Sequence, residues 1–155
     1  MLENLQITNI LAIIVVVIAV CLLIYFAVKT LITANLFQKG VNLYQQKDYP
    51  GAEAAFRQVI KINSTNDVVR LFLGDVLKAQ DKMTEATELY QEVIARSPKN
   101  PEAYLRLANI LMQQNQQEAA TINLKKSQEL FQKQRQPQKA AKINQVLEKM
   151  SAKVS

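Results

Sequence analysis

The chain has 155 residues with a formal net charge of +6, no His, no Trp, one Cys, three Gly and four Pro. The lone Cys21 excludes an internal disulfide framework and any zinc site built from cysteines, and the missing His removes the commonest general base and metal ligand. So little Gly and Pro also excludes a turn-rich β protein and leaves an all-α chain, one ordinary domain with an anchor or tail.

From Asn4 to Val28 there is no charged residue, and Ile10 to Val28 is nineteen consecutive apolar residues. At about 1.5 Å per residue such a helix is roughly 28 Å long, close to the hydrocarbon thickness of a bilayer. The run is too long and too uniformly apolar for a buried core helix. It also makes a poor signal peptide, because Glu3 precedes it without any Lys or Arg and no A-x-A site follows. The bulky Val20 before Cys21 argues against a lipoprotein processing site. The expectation is one permanent transmembrane helix, with residues 1–32 as the anchor and residues 5–28 meeting membrane lipid. Cys21 is then a small apolar side chain facing lipid. Lys29, Lys39 and Lys47 follow the span, which places the N-terminus outside and the body in the cytosol. No Gly or Pro cluster follows, so the span is expected to run straight into the first helix of the body.

The middle of the chain repeats with a 34-residue period, in units 33–66, 67–100 and 101–134. Gly40, Gly74 and Ala108 recur on the first helix of each unit. Ala52, Ala86 and Ala120 recur on the second, followed four residues later by Phe56, Tyr90 and Leu124. Small residues on facing helices let their axes approach to about 8–10 Å, and the large side chain one turn on fills the next groove. The ends of the helices are also marked. Asn66 or Asp67 caps the second unit, and Asn100 before Pro101 caps the third. Asp48-Tyr49-Pro50-Gly51 marks the first turn within a unit, Thr84-Glu85 starts the second helix of the second unit, and Gln113 to Gln117 is a polar turn.

These residues resemble the tetratricopeptide repeat family over about 102 of the 155 residues. The family pattern has Leu-Gly or Leu-Ala early in the unit, Ala in its middle, an aromatic four residues later and Pro near its end. Leu73-Gly74, Ala86, Tyr90 and Pro98 match it in the second unit. Lys39 and Ser64 depart from it in the first, and Leu124 and the missing terminal Pro in the third, as end repeats do. The resemblance implies a concave groove lined by the first helix of each pair. Its positions here are Phe37, Val41, Tyr44, Val68, Leu71, Phe72, Asp75, Lys78, Glu102, Leu105, Arg106, Asn109 and Met112. Such a mixture of side chains suits a peptide segment of a protein partner. Leu71, Asp75, Arg106 and Asn109 are the central candidates. Chaperone-binding members grip a terminal carboxylate with Lys and Asn on the first repeat. Phe37 and Val41 are apolar at those places, and Asp75 would repel a carboxylate.

Gln136-Pro137 breaks the chain, and Gln138 to Met150 then carries one apolar stripe, Ala140, Ala141, Ile143, Val146, Leu147 and Met150. Residues 135–155 are expected to form a capping helix over the last repeat. From Thr121 to Ser155 there are eight Lys or Arg and two acids, so the net charge concentrates at this end. That face is expected to be solvated, or to meet anionic lipid headgroups or an acidic partner. Nucleic acid is not an expected partner, since no aromatic residue lies beyond Phe131.

No Gly-rich phosphate loop or acid–base constellation is present, so no enzyme, cofactor or metal site is expected. The whole layout is one span, three repeats and a basic end helix. It resembles the membrane-anchored tetratricopeptide assembly factors of photosystem I in cyanobacteria and plastids. That likeness implies a thylakoid location and an assembly role. A bacterial inner-membrane scaffold for another membrane or envelope complex, or a periplasmic chaperone-like anchor protein, carries the same features.

Overall fold

The computed structural model describes residues 2–152, with side chains from Asn9 onward. Glu3 and the end of the basic tail, Lys153 included, lie outside the described side chains. All the regular structure among the described residues is helical, in seven helices. They are α1 (Leu2–Gln45), α2 (Tyr49–Ile62), α3 (Asp67–Ala79), α4 (Met83–Arg96), α5 (Pro101–Gln113), α6 (Gln117–Lys133) and α7 (Pro137–Ser151). Each helix packs on the next in the chain, and α3 also touches α5. The result is a stack of antiparallel neighbours, the short-loop geometry of an α-solenoid.

α1 is unbroken through its polar interruption. The hydroxyls of Thr30 and Thr33 donate to the carbonyls of Phe26 and Lys29, one turn back, and so stay within the helix. From Ile10 to Ile32 its large apolar side chains are exposed. Beyond Thr33 the same helix packs against α2 through Leu36, Phe37, Val41, Leu43 and Tyr44. It is the one helix, among the described residues, long and apolar enough to cross a membrane.

Helix starts follow the capping chemistry in part. Asp48 accepts from the Gly51 amide, Asn66 from Val69 and Asn100 from Glu102. Gly51 therefore sits in the first turn of α2, with Pro50, and not in the connecting turn. α4 begins at Met83, one residue before the expected Thr84, and its cap position, Lys82, makes no side-chain capping bond. α7 begins at Pro137, where a missing N–H is harmless.

Four turns share one motif. Lys47, Asp81, Asn115 and Arg135 have φ of 63°, 64°, 60° and 57°. In each turn this residue's amide bonds back to the carbonyl three residues earlier, and the next amide to the carbonyl five residues earlier. This is the Schellman ending. The turn into α7 thus copies the turns at 47, 81 and 115.

The core also corrects the expected packing. Gly40 and Gly74 do not simply face another small residue. A Cβ on Gly40 would lie 2.6 Å from the Phe56 ring, and one on Gly74 would collide with the Tyr90 ring. Each aromatic ring therefore fills the space that a side chain on the glycine would take. At the third equivalent place Ala108 keeps its Cβ, and the smaller Leu124 shares its buried cluster. The first cluster runs from α2 to α5 and the second joins α5, α6 and α7.

Candidate protein-binding groove

The helices α1, α3, α5 and α7 are the odd members of the stack, and their side chains join across it. At the α1 end the joint is aromatic. The Phe37 and Phe72 rings meet edge-on at 5.2 Å, and both approach Phe56, at 5.8 and 5.9 Å. Such pairs add about 0.5–1.5 kcal/mol each beyond their burial.

Further along the joint is ionic. Tyr90 Oη donates to Asp75 Oδ1 at 2.8 Å, and Arg106 Nε donates to Asp75 Oδ2 at 2.9 Å. Arg106 Nη1 donates to Glu102 Oε2 at 2.9 Å, and Lys139 Nζ donates to Glu102 Oε1 at 2.8 Å. Lys139 also stands 5.0 Å over the Phe131 ring. One chain of charge therefore links α3, α5 and α7, with α4 supporting it from below. Burial and the Asp75 carboxylate push the Tyr90 phenol well above its ordinary range, so it stays a donor. Burial disfavours the Arg106 charge, but Asp75 and Glu102 outweigh it and hold the guanidinium protonated. Burial alone would raise the Glu102 carboxyl, yet Lys139 and Arg106 bring it below its usual value. Burial and Asp75 raise Tyr44 as well, which puts α1 within reach of the same field.

The thirteen expected groove residues separate into classes. Phe37, Val41, Tyr44 and Phe72 are half-buried and pack on the first core cluster. Leu105 and Met112 pack on the second. Asp75, Arg106 and Glu102 are spent on one another. Leu71 is a correction: it is only 5% exposed and belongs to the first core cluster, so neighbouring side chains cover it. Val68, 55% exposed, stands in the first turn of α3. Lys78 and Asn109 are half-buried and make no side-chain hydrogen bond or ion pair among the described residues.

Two family models, both described as tetratricopeptide repeat, match residues 34–65 and 77–143. The chain is a tetratricopeptide-repeat protein. No curated protein matches it. Solved structures do. The type III secretion translocator chaperone SycD of Yersinia enterocolitica has a TM-score of 0.71 at 22% identity, over 75% of this chain and 87% of that one. PcrH of Pseudomonas aeruginosa has 0.72 at 18%, over 77% and 91%. The TPR2B domain of yeast Sti1, complexed with pHsp70, has 0.72 at 19%, over 79% and 98%. At such identities the likeness shows the fold.

Measured against the tetratricopeptide pattern, three residues of the site were not evident from sequence. Tyr90 is the expected aromatic, but its hydroxyl also serves the groove. Lys139 belongs to the end helix and reaches back to α5. Arg70, one period before Tyr104, is 7% exposed and held by Glu92 at 2.9 Å. A charge at a core position was the available signal for Arg70.

Proposed function

We propose that this protein is a non-enzymatic, membrane-anchored adaptor that holds a peptide segment of a client protein on the face of α1, α3 and α5. The observation that carries the reading is the continuity of α1. Its exposed apolar half runs without a break into the half that docks the repeats. A bilayer is the environment that covers twenty-odd apolar side chains on an unpartnered helix. Confinement at the membrane raises the effective concentration of the groove near inserted clients, so modest affinity suffices. Lys29, Lys39 and Lys47 support a cytosolic body with the N-terminus outside. Solved relatives in fold support the peptide half of the reading: PcrH is complexed with the chaperone-binding region of PopD, and SycD with a peptide of YopD.

The client proposed here is a subunit of photosystem I during assembly, in the thylakoid membrane. The layout of one span, three repeats and a basic end helix supports it. The test is capture from solubilised membranes of the source cell, comparing the parent with Lys78→Glu/Asn109→Arg. These two polar groups make no hydrogen bond or ion pair among the described residues. Photosystem I subunits should co-purify with the parent and fall at least about tenfold with the variant, a loss of about 1.4 kcal/mol. Capture of a different membrane or envelope complex would move the client to the scaffold reading. Equal capture by both proteins would remove the groove. Protease added to right-side-out vesicles should leave residues 33–155 intact, and digestion there would reverse the orientation.

A further inference from the structure

The stack has two edges, and they differ in charge. α1 runs toward Gln45, α2 returns, and the alternation continues to α7. The ends of α2, α4 and α6 therefore share one edge with the last turns of the apolar run. Contacts follow that edge in sequence. Residues Lys61 and Ile62 line a cleft of about 400 Å³ with Tyr25, Val28, Lys29 and Ile32. Arg96 Nη1 donates to the Ser64 carbonyl at 3.0 Å, and Gln134 Nε2 donates to the Lys99 carbonyl at 2.8 Å. Arg135 sits in the turn that follows Gln134.

The acids of this edge are taken. Asp67 faces Arg96, Glu102 holds Arg106 and Lys139, and Glu129 holds Lys126 and Lys133. Lys29, Lys61, Lys99 and Arg135 form no ion pair among the described residues. The opposite edge is mixed: Lys47 is accompanied by Asp48, Asp81 and Glu118 in its turns and helix starts.

We infer that the edge starting at the Lys29–Lys61 cleft docks on anionic phospholipid headgroups, with a phosphate between the two ammonium groups and its acyl chain along Tyr25, Val28 and Ile32. Lys99 and Arg135 extend the contact along the surface. The inference rests on the membrane-anchor reading. The reason for choosing lipid is placement: the cleft joins the apolar run to unpaired cations, at the level where hydrocarbon gives way to headgroups. Basic side chains at such a surface each favour contact about fivefold, and the attraction fades within a Debye length. A consequence is orientation, since the solenoid would lie edge-on to the bilayer and hold its groove at a fixed height.

The test uses the full chain in vesicles, with Cys21→Ser and a single labelled cysteine at Thr65, on this edge, or Gln114, on the other. Flotation with neutral phosphatidylcholine vesicles after an alkaline wash first checks the anchor. Failure to float overturns the anchor reading and this inference with it. In vesicles containing phosphatidylglycerol, a quencher on the headgroups should quench the Thr65 label several-fold more than the Gln114 label. Lys61→Glu/Lys99→Glu/Arg135→Glu, or about 1 M salt, should remove most of that difference. Insertion with equal quenching at both labels would overturn the inference alone. Equal preference in neutral vesicles would overturn the role of charge, leaving the rigid helix to set the height.

Discussion

Phe72 and Arg106 occupy the same place in successive repeats, one period of 34 residues apart, and each reaches back to the repeat before it. Phe72 meets Phe37 and Phe56. Arg106 meets Asp75. The backbone geometry of the joint is repeated, but its chemistry is not. The first joint is held by burial and ring contact, which salt does not screen. The second is held by charges about one-fifth exposed, which depend on every partner being present. The difference gives the groove an apolar end beside α1 and an ionic end beside α7.

The sharpest way to break the ionic joint is at Gly74. A valine there would drive its Cβ into the Tyr90 ring, which supports Asp75 through its hydroxyl. We expect a loss of about 3 kcal/mol, at the top of the usual range for overpacking, because the neighbour is a ring fixed by a hydrogen bond. Gly74→Ala/Tyr90→Leu copies the Ala108–Leu124 pair of the third repeat and should recover most of the loss of Gly74→Ala alone. Denaturation midpoints followed by circular dichroism check this. Failure of the double change to recover would show that the pairs do not exchange between repeats.

The comparison itself is tested by Phe72→Ala against Arg106→Ala. Each should cost about 2 kcal/mol, the first from lost burial and ring contact, the second from leaving Asp75 half-buried without its cation. The two differ in salt dependence. Between low and about 1 M salt the cost of Arg106→Ala should shrink, while that of Phe72→Ala should hold. A parallel response in both would erase the distinction drawn between the joints.

The first joint carries charge only at its outer edge. Glu53, 15% exposed, accepts from Lys82 at 2.9 Å, Gln80 at 2.8 Å and Arg57 at 2.7 Å. Burial opposes its ionisation, yet the three donors outweigh it and bring the carboxyl down to about 2. A depressed folded-state value means stability that is present above the unfolded value, about 4.3, and lost as pH falls toward 2. Arg57 and Lys82 are 47% and 40% exposed, so screening reduces the worth of the cluster to about 1–2 kcal/mol. Glu53→Gln should lose that amount at neutral pH and nothing below about pH 2. Parent and variant curves that stay parallel across this range would dismiss the cluster as a stabilising element.

Much of this architecture was readable from residue type and period. The 34-residue spacing located the helix pairs, and Asn66 and Asn100 marked their starts because a cap is a local bond. The groove was less legible. Periodicity assigns Leu71 and Arg106 to one face of a helix, but whether a side chain is covered depends on what the neighbouring helix places over it. Leu71 was covered. Likewise no pattern within one repeat announces that Lys139 will cross to Glu102, 37 residues away. The aromatic position told where Tyr90 packs. Only the identity of the residue opposite, Asp75, tells what its hydroxyl does.

The smallest effect concerns the turns that both joints share. Lys47 and Arg135 adopt left-handed backbone at φ of 63° and 57° without the local side-chain bonding that lets Asn and Asp tolerate it. For an ordinary L-residue this conformation costs about 1–2 kcal/mol, because Cβ crowds the following carbonyl. Glycine relieves that crowding but adds about 0.4–1 kcal/mol of unfolded-state freedom to be lost on folding. The difference leaves Lys47→Gly stabilising by up to about 1 kcal/mol. At Asp81 and Asn115 the relief is smaller, so the same change should be near neutral. Both joints should keep their salt responses in these variants, because the turns lie outside the groove. A destabilised Lys47→Gly would mean that the lysine side chain, and not the backbone alone, holds the first turn against α2.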